Sequence, residues 1–292
     1  MLRFGVIALI TVLTTWGETS AREADECISH WSDGISGSYI HMAAFGCSVY
    51  VETAYIASVE LERRGDITVS PVRSSPDSLF CTCSGGREGS IYIRIPSSTT
   101  LPVITMEHEN SFVSIEGVSI HRMNNSGIEG AIFIKSCSID TLIGVLDKCS
   151  ADLDVKTVIT KFNTCDSHIQ IRGRMNDVTV ICEGGTLVMD VSPDTLLCDL
   201  KSTMSDIMFR HQSVRSGLII AYAGEMRITV PDPPLNRLLF RAKGGELSMD
   251  ETLPITRKSS GNAYREVTVG MVTGQPPITV VTRGTAIELT GS

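Results

Sequence analysis

The densest group of ionisable residues in the chain is Met106-Glu107-His108-Glu109. A histidine between two carboxylates could bind a metal ion or transfer a proton. In a β-strand, however, Glu107 and Glu109 project from one face and His108 from the other. No second histidine or cysteine stands at metal-ligand spacing, so the run is interpreted as a solvated turn and no metal site is predicted.

The nine cysteines are the other reactive side chains, and their odd number leaves at least one thiol without an intramolecular partner. Cys81-Thr82-Cys83 has one intervening residue, whereas structural zinc knuckles have two to four. The spacing therefore favours buried or disulfide-bonded cysteines. Cys27 and Cys47 are predicted to form one disulfide.

Other motifs that carry chemistry are weak. The chain has no Gly-x-Ser-x-Gly elbow, no His-Glu-x-x-His and no Walker loop. Gly184-Gly185 and Gly244-Gly245 follow strand-like segments but open no helix, so they are interpreted as corners. Asn124-Asn-Ser126 is an N-glycosylation sequon, which predicts an exposed loop at Asn124. Four aspartates recur in one stretch and are interpreted as solvated turn residues, without the repeat of a calcium-loaded β-roll: Asp190, Asp194, Asp199 and Asp206. No catalytic residue and no cofactor is predicted.

The amino end predicts export. Arg3 precedes the apolar run 4–13 and a stretch of small polar residues, the order of a secretory signal peptide. The preferred cleavage site follows Ala21, and cleavage after Ala24 is the alternative. The apolar run is shorter than a membrane span of about 20 residues. We expect a secreted, periplasmic or surface-held protein with no membrane span after cleavage. The net charge of −8 argues against binding to nucleic acid.

The elements that must position these residues are short strands. From Gly89 onward, brief apolar segments alternate with polar residues between Gly, Asn, Asp, Ser and Pro. Strand centres between Gln170 and Leu239 recur about every ten residues. Isolated glycines, rather than hairpin dipeptides, separate them. We predict an all-β protein, a parallel β-solenoid, with an antiparallel β-sandwich as the alternative.

The solenoid interpretation makes specific assignments of side-chain direction. Thr179 and Arg227 are predicted to face outward. One continuous core is predicted to contain Val180, Leu187, Leu197, Ile207, Ile220 and Ile228. Residues 22–88 are interpreted as an amino-terminal cap with the first strands, and residues 89–292 as the repeat domain.

Several segments resemble the putative adhesin families that include the head GIN domain. The segments are Gly89-Ser-Ile-Tyr-Ile-Arg-Ile-Pro96, Leu101-Pro-Val-Ile-Thr-Met106, Ser114-Ile-Glu-Gly117, Glu266-Val-Thr-Val-Gly270 and Pro277-Ile-Thr-Val-Val-Thr-Arg-Gly284 with Ile287-Glu-Leu289. The resemblance covers residues 64 to 289. It implies a parallel β-solenoid, export, association with the cell envelope and no established catalytic residues.

Two functions are consistent with these features. The first is a non-enzymatic scaffold that binds a surface glycan or protein through a solenoid face. The second is a secreted lyase or hydrolase that acts on polysaccharide from a β-helix. Such enzymes line a long groove with carboxylates and aromatic side chains, and Trp31 is the only tryptophan beyond the signal segment. The first function is therefore preferred.

Overall fold

A computed structural model of the chain describes residues 27–31, 39–56, 59–75, 78–86, 89–191, 193–209, 214–230, 237–260, 265–270 and 277–291. All regular structure in these residues is β. The first half of the chain contains β1 (Cys27–Trp31), β2 (Tyr39–Phe45), β3 (Ser48–Ala54), β4 (Val59–Arg64), β5 (Ile67–Ser75), β6 (Ser78–Gly85), β7 (Ser90–Pro96), β8 (Thr100–Glu109), β9 (Phe112–Glu116), β10 (Ser119–Ile128) and β11 (Ala131–Asp147). The second half contains β12 (Ser150–Cys165), β13 (His168–Glu183), β14 (Thr186–Val191), β15 (Thr195–Phe209), β16 (Ser216–Val230), β17 (Leu238–Lys243), β18 (Leu247–Met249), β19 (Ile255–Ser260), β20 (Arg265–Val269), β21 (Ile278–Arg283) and β22 (Ala286–Gly291).

The pairing of these strands is that of a solenoid. Val180 pairs in parallel with Phe162 on one side and Cys198 on the other, so its neighbours lie one coil turn away in each direction. It does not pair in hairpin register with the next strand around Leu187. The predicted parallel solenoid is confirmed, and the spacing of about ten residues is half of one coil turn.

Each turn of the coil contributes one strand to each of two faces. Face 1 consists, in spatial order, of β5, β6, β2, β8, β10, β11, β12, β13, β15, β16, β21, β17, β20 and β19. Face 2 consists of β1, β4, β7, β3, β9, β11, β12, β13, β14, β15, β16, β22 and β18. The long strands β11, β12, β13, β15 and β16 belong to both faces because they continue around a corner.

The core lies between the two faces and runs along the whole coil. Val180, Leu187, Ile207 and Ile228 are buried in it, as predicted. The predicted inward directions of two further residues were wrong. Leu197 is 41% exposed and Ile220 is half-buried, and both face outward.

Adjacent apolar residues are the reason for these two errors. The segment 195–200 contains Leu196, Leu197 and Cys198 in succession, so alternation alone is compatible with either phase. The register decides, because Cys198 aligns with the buried Val180. In β16 the same ambiguity arises from three consecutive apolar residues at 218–220, of which Ile219 is the buried one.

The corner from face 1 to face 2 has the same construction in successive turns. Its first residue has a positive φ, whether it is Gly184 (φ 73) or Lys148 (φ 52). Its second residue is small, and its side chain, where it has one, points into the coil. These second residues are Cys47, Ser111, Gly130, Cys149, Ser167, Gly185, Thr203, Gly224, Thr285 and Gly245. The glycine pairs 184–185 and 244–245 are therefore corners, as predicted.

The turns at both ends of the coil are stacked out of chain order. β2 and β3 lie between the turn formed by β6 and β7 and the turn formed by β8 and β9. At the other end, β21 and β22 lie between β16 and the turn formed by β17 and β18. Antiparallel strands then cover the ends, with β5, β4 and β1 at one end and β20 and β19 at the other. Such edge covering protects the last turn from pairing with other chains.

Two sequence assignments remain predictions. The signal peptide at residues 1–21 lies outside the described residues, and the boundary at residue 88 between cap and repeat domain is untested. β2 and β3 do stack as a turn of the coil itself. Within the described part of the chain, no helix is long and apolar enough to cross a membrane.

Candidate binding face

The ionisable run 106–109 lies in strand β8 and is divided between the interior and the surface, so its interpretation as a solvated turn was wrong. Met106 and His108 point into the coil, while Glu107 and Glu109 are exposed on the outside of face 1. His108 is only 4% exposed, and neither of its ring nitrogens has a hydrogen-bond partner among the described residues. Burial lowers the pKa of His108 to about 4, so its ring is neutral at pH 7. The arrangement suits packing and not acid–base chemistry.

The four aspartates of the segment 190–206 do not converge. Asp190 and Asp206 lie on the outside of face 2, and Asp199 lies on the outside of face 1. Asp194 precedes β15, and its backbone carbonyl accepts hydrogen bonds from the amides of 215 and 216. Among the described residues, no group of three or more metal-ligating side chains is assembled.

Asn124 lies in β10 rather than in a loop. Its side chain projects half-buried from the outside of face 1 and accepts a hydrogen bond from Arg122 Nε at 3.2 Å. The prediction of a loop was therefore wrong, because the sequon lies in a paired strand. Glycosylation at Asn124 itself stays a prediction.

The predicted partner of Cys47 is untested. Cys47 is a free, buried thiol whose Sγ lies 3.3 Å from the Sγ of Cys83. Cys27 belongs to β1, but its side chain lies outside the described residues. The Cys27–Cys47 disulfide therefore stays a prediction.

A stack of aromatic rings crosses the outside of face 2 near its amino-terminal end. The rings of Tyr92 and Tyr50 are nearly parallel with centroids 4.7 Å apart, and the ring of Phe112 follows 5.7 Å from Tyr50. Phe133 continues the stack 5.2 Å from Phe112, and the guanidinium of Arg64 lies 4.5 Å from the centroid of Tyr92. These rings contact one another across neighbouring turns, so the stack stabilises the coil.

Beyond the stack, the outside of face 2 becomes acidic. From β12 to β18, its outward side chains include many carboxylates and few basic groups. The carboxylates are Asp152, Asp154, Asp190, Asp206, Glu225, Glu246 and Glu288, and the basic side chains are Arg172 and Arg227. Arg172 contacts Asp152 at 2.6 Å and Arg227 contacts Glu288 at 2.7 Å. Both guanidinium groups therefore lie against carboxylates, and seven carboxylates against two guanidinium groups give this surface a net negative charge.

A depression of about 480 Å³ lies within this acidic surface. Val188, Met204 and Ala286 supply its apolar lining, and Asp206, Glu225, Glu246 and Glu288 are among the acidic groups. A smaller depression of about 390 Å³ lies at the end of the aromatic stack and is lined by Phe112, Phe133, Asp152 and Arg172 among others. The outside of face 2 thus offers a long surface with two recesses.

The outside of face 1 differs in charge over the same turns. Basic groups outnumber carboxylates there: Lys161, Lys201, Arg241, Lys243 and Arg283 stand beside Asp177, Glu183 and Asp199. Lys201 pairs directly with Glu183. The negative charge of the chain is therefore concentrated on face 2.

Sequence reasoning missed the acidic face because each turn contributes only one or two of its residues. Asp206, Arg227 and Glu288 are direct neighbours in the sheet but are scattered over 83 positions of the chain. Alignment at the spacing of 18 residues between successive turns would have placed Arg172 beside Asp154 and Asp190. It would not have placed Arg227 beside Asp206, because that step is 21 residues long, nor Glu288, because β22 is inserted out of order.

Comparison with known proteins adds a likeness of structure alone. No family model matches the sequence, and no curated protein matches it. A putative adhesin from Bacteroides fragilis superposes with a TM-score of 0.36 and 10% identity, covering 92% of this chain and 98% of that one. A putative cell adhesion protein from Clostridium sporogenes superposes with a TM-score of 0.21 and 8% identity, covering 92% and 99%. At such low identity and superposition, a shared ligand does not follow from either likeness.

Proposed function

We propose that this protein is a non-enzymatic, extracellular binding scaffold that uses the outside of face 2 to hold a positively charged protein segment on a surface. The observation that carries the proposal is the difference in charge between the two outer faces. Face 1 carries more basic groups than carboxylates over the same turns in which face 2 accumulates carboxylates around the larger depression.

The geometry of the coil explains why such a face suits an extended ligand. Neighbouring strands lie about 4.8 Å apart, so carboxylates on successive turns form rows of negative charge at that spacing. Lysine or arginine side chains along an extended segment can meet several members of a row at once. The field of the row also steers a basic partner toward this face and away from face 1.

The larger depression contributes the second part of recognition. Its apolar lining by Val188, Met204 and Ala286 can hold an aliphatic or aromatic side chain between the flanking carboxylates. A partner that combines basic and apolar residues therefore fits this surface better than a neutral glycan. The experiment distinguishes the binding of a basic protein segment from the binding of a glycan.

The test compares two variants of equal charge. One carries Asp206→Asn, Glu225→Gln and Glu246→Gln on face 2, and the other carries Asp147→Asn, Glu109→Gln and Glu183→Gln on face 1. Binding of a fluorescent oligolysine peptide is measured by anisotropy over a series of salt concentrations. We expect the face 2 variant to lose about tenfold in affinity, the equivalent of 1.4 kcal/mol, and the face 1 variant to bind as the parent does.

Two results would overturn the proposal. Equal weakening in both variants would mean that the peptide responds to total charge and not to face 2. Tighter binding of a neutral dextran oligosaccharide than of oligolysine, with the same dependence on face 2, would replace the basic protein segment with a glycan as the partner.

A further inference from the structure

We infer that Cys47 pairs with Cys83, in place of the Cys27 expected from the sequence, in a disulfide that fastens the outermost amino-terminal turn of the coil to the turn beneath it. The two thiols come from different turns. Cys47 is the inward corner residue of the turn formed by β2 and β3, and Cys83 lies near the end of β6 in the adjacent turn.

The backbone register brings these thiols together. β6 pairs in parallel with β2, and Cys83 is opposite Ala44, three residues before Cys47. The chain turns inward at Gly46, which directs the Cys47 side chain toward β6. The result is an Sγ–Sγ separation of 3.3 Å between two buried side chains. No other sulfur–sulfur contact between cysteines occurs among the described side chains.

The surroundings of the pair favour a defined order of reaction. The contact between the two thiols lowers the pKa of Cys47 to about 7, because the Cys83 S–H can donate a hydrogen bond to Cys47 once Cys47 is ionised. The same contact, with burial, raises the pKa of Cys83. Cys47 is therefore the better nucleophile of the two, and Cys83 is the resolving thiol.

The oxidant is a low-molecular-weight disulfide of the kind found in oxidising compartments. The Cys47 thiolate attacks one sulfur of that disulfide, forms a mixed disulfide and releases one small thiolate. Cys83 then loses its proton and attacks the Cys47 sulfur, which forms the Cys47–Cys83 bond and releases the second small thiol. The protein loses two hydrogens and the oxidant is reduced to two thiols. Since both side chains are buried in the folded coil, the disulfide forms at the stage of folding at which the end turns close.

The bond would act at a weak point of the solenoid. The turn formed by β6 and β7 has a parallel neighbour on one side only, and its other side is covered by the antiparallel strands β5 and β4. End turns have fewer neighbours to stabilise them and open first. A bond from Cys83 to Cys47 closes the chain excursion through β4 and β5 into a loop and holds this turn in place.

The test is a peptide map of the full chain after oxidation with glutathione disulfide. Free thiols are alkylated in denaturant, and the chain is cleaved with cyanogen bromide at Met42 and with trypsin. Cleavage at Met42 separates Cys27 from Cys47, so the two possible partners of Cys47 give different products. We expect a linked product that joins the peptide containing Cys47 to the peptide 74–87.

Three variants locate the second sulfur and guard against misfolding. Cys81→Ser should retain the linked product, whereas Cys83→Ser should lose it. Cys198→Ser, which removes a buried thiol elsewhere in the core, is the control. Oxidation should raise the melting temperature of the parent and of Cys81→Ser but not that of Cys83→Ser.

The parent and Cys81→Ser decide the outcome if Cys83→Ser does not fold. A Cys27–Cys47 product, a link through Cys81, or alkylation of both Cys47 and Cys83 after oxidation would each refute the inference. The binding of oligolysine by face 2 does not depend on this bond, so failure here leaves the proposed function intact.

Discussion

His108 is the residue at which burial has the clearest consequence. Its ring fills space beside two glycines, and a Cβ on Gly127 would lie 2.2 Å from the ring, while one on Gly130 would lie 2.7 Å from Nδ1. Burial raises the pKa of the nearby Cys149 thiol, so no thiolate lies beside the ring to favour its protonation. The imidazole is therefore accommodated only in its neutral form.

Acid should destabilise the protein through His108. The folded-state pKa of about 4 lies below the ordinary value of 6.5, so the unfolded chain takes up the proton first. The contribution of His108 to the free energy of unfolding is fully present above pH 6.5. It is lost as the pH drops toward 4, and the total loss is on the order of 3 kcal/mol. Denaturant unfolding at several pH values measures this slope. In His108→Leu the slope should flatten, while His168→Gln, a change at an exposed histidine, should leave it unchanged.

The corner positions adopt the same left-handed backbone conformation with different residue types. Gly185 has a φ of +70°, and a Cβ there would lie 2.1 Å from the carbonyl oxygen of Ser167 in the neighbouring turn. Lys148 holds a φ of 52° with a side chain present and therefore carries the cost of a left-handed conformation.

Opposite effects on stability are expected at these two positions. Gly185→Ala should destabilise the chain by 2 kcal/mol or more, about the upper cost of a left-handed alanine, because the close approach adds to that cost. Lys148→Gly should stabilise it by up to about 1 kcal/mol relative to Lys148→Ala, which removes the Glu129 contact equally. Thermal and denaturant unfolding measure both. Equal stability of the glycine and alanine variants at 148 would mean that the positive φ of Lys148 costs no free energy.

At the scale of the element, a strand is defined by which of its residues face inward. In β15, Leu196 is buried and its neighbour Leu197 faces solvent. Leu196→Asp would bury a charge without a partner and should cost several kcal/mol. Leu197→Asp should change stability by no more than about 0.5 kcal/mol. Denaturant midpoints of the two variants provide the comparison, and a reversed order would mean that the register of β15 is wrong.

Alternation and glycine corners were enough to predict strands and a coil, because both are local properties of the sequence. The phase within β15 and β16 was not predictable, since consecutive apolar residues fit either direction and only the neighbouring turn decides. The acidic face was hidden for a related reason. Asp206 and Glu225 belong to different turns, and no local signal identifies which turns are neighbours.

At the scale of the whole molecule, the coil separates two tasks. The buried Val, Ile, Leu and Met side chains stabilise the coil, while the two outer faces are free to differ in charge. Repeat architectures tolerate this division because each turn is held by its neighbours and not by the chemistry of its outward side chains. The face 2 and face 1 variants described above should therefore unfold at similar denaturant concentrations although they differ in binding.

The insertion of the end turns also determines how the molecule would bear a load. β2 has parallel partners on both sides, β6 and β8, and β22 likewise lies between β16 and β18. A pull along β2 and β22 must shear two ladders at once, whereas an outermost strand such as β5 or β19 can be peeled one hydrogen bond at a time. In single-molecule stretching, handles on β2 and β22 should give a higher rupture force than handles on β5 and β19. Tension applied through β2 and β22 would thus be carried by the interior turns, and the covering strands β5 and β19 would carry little of it.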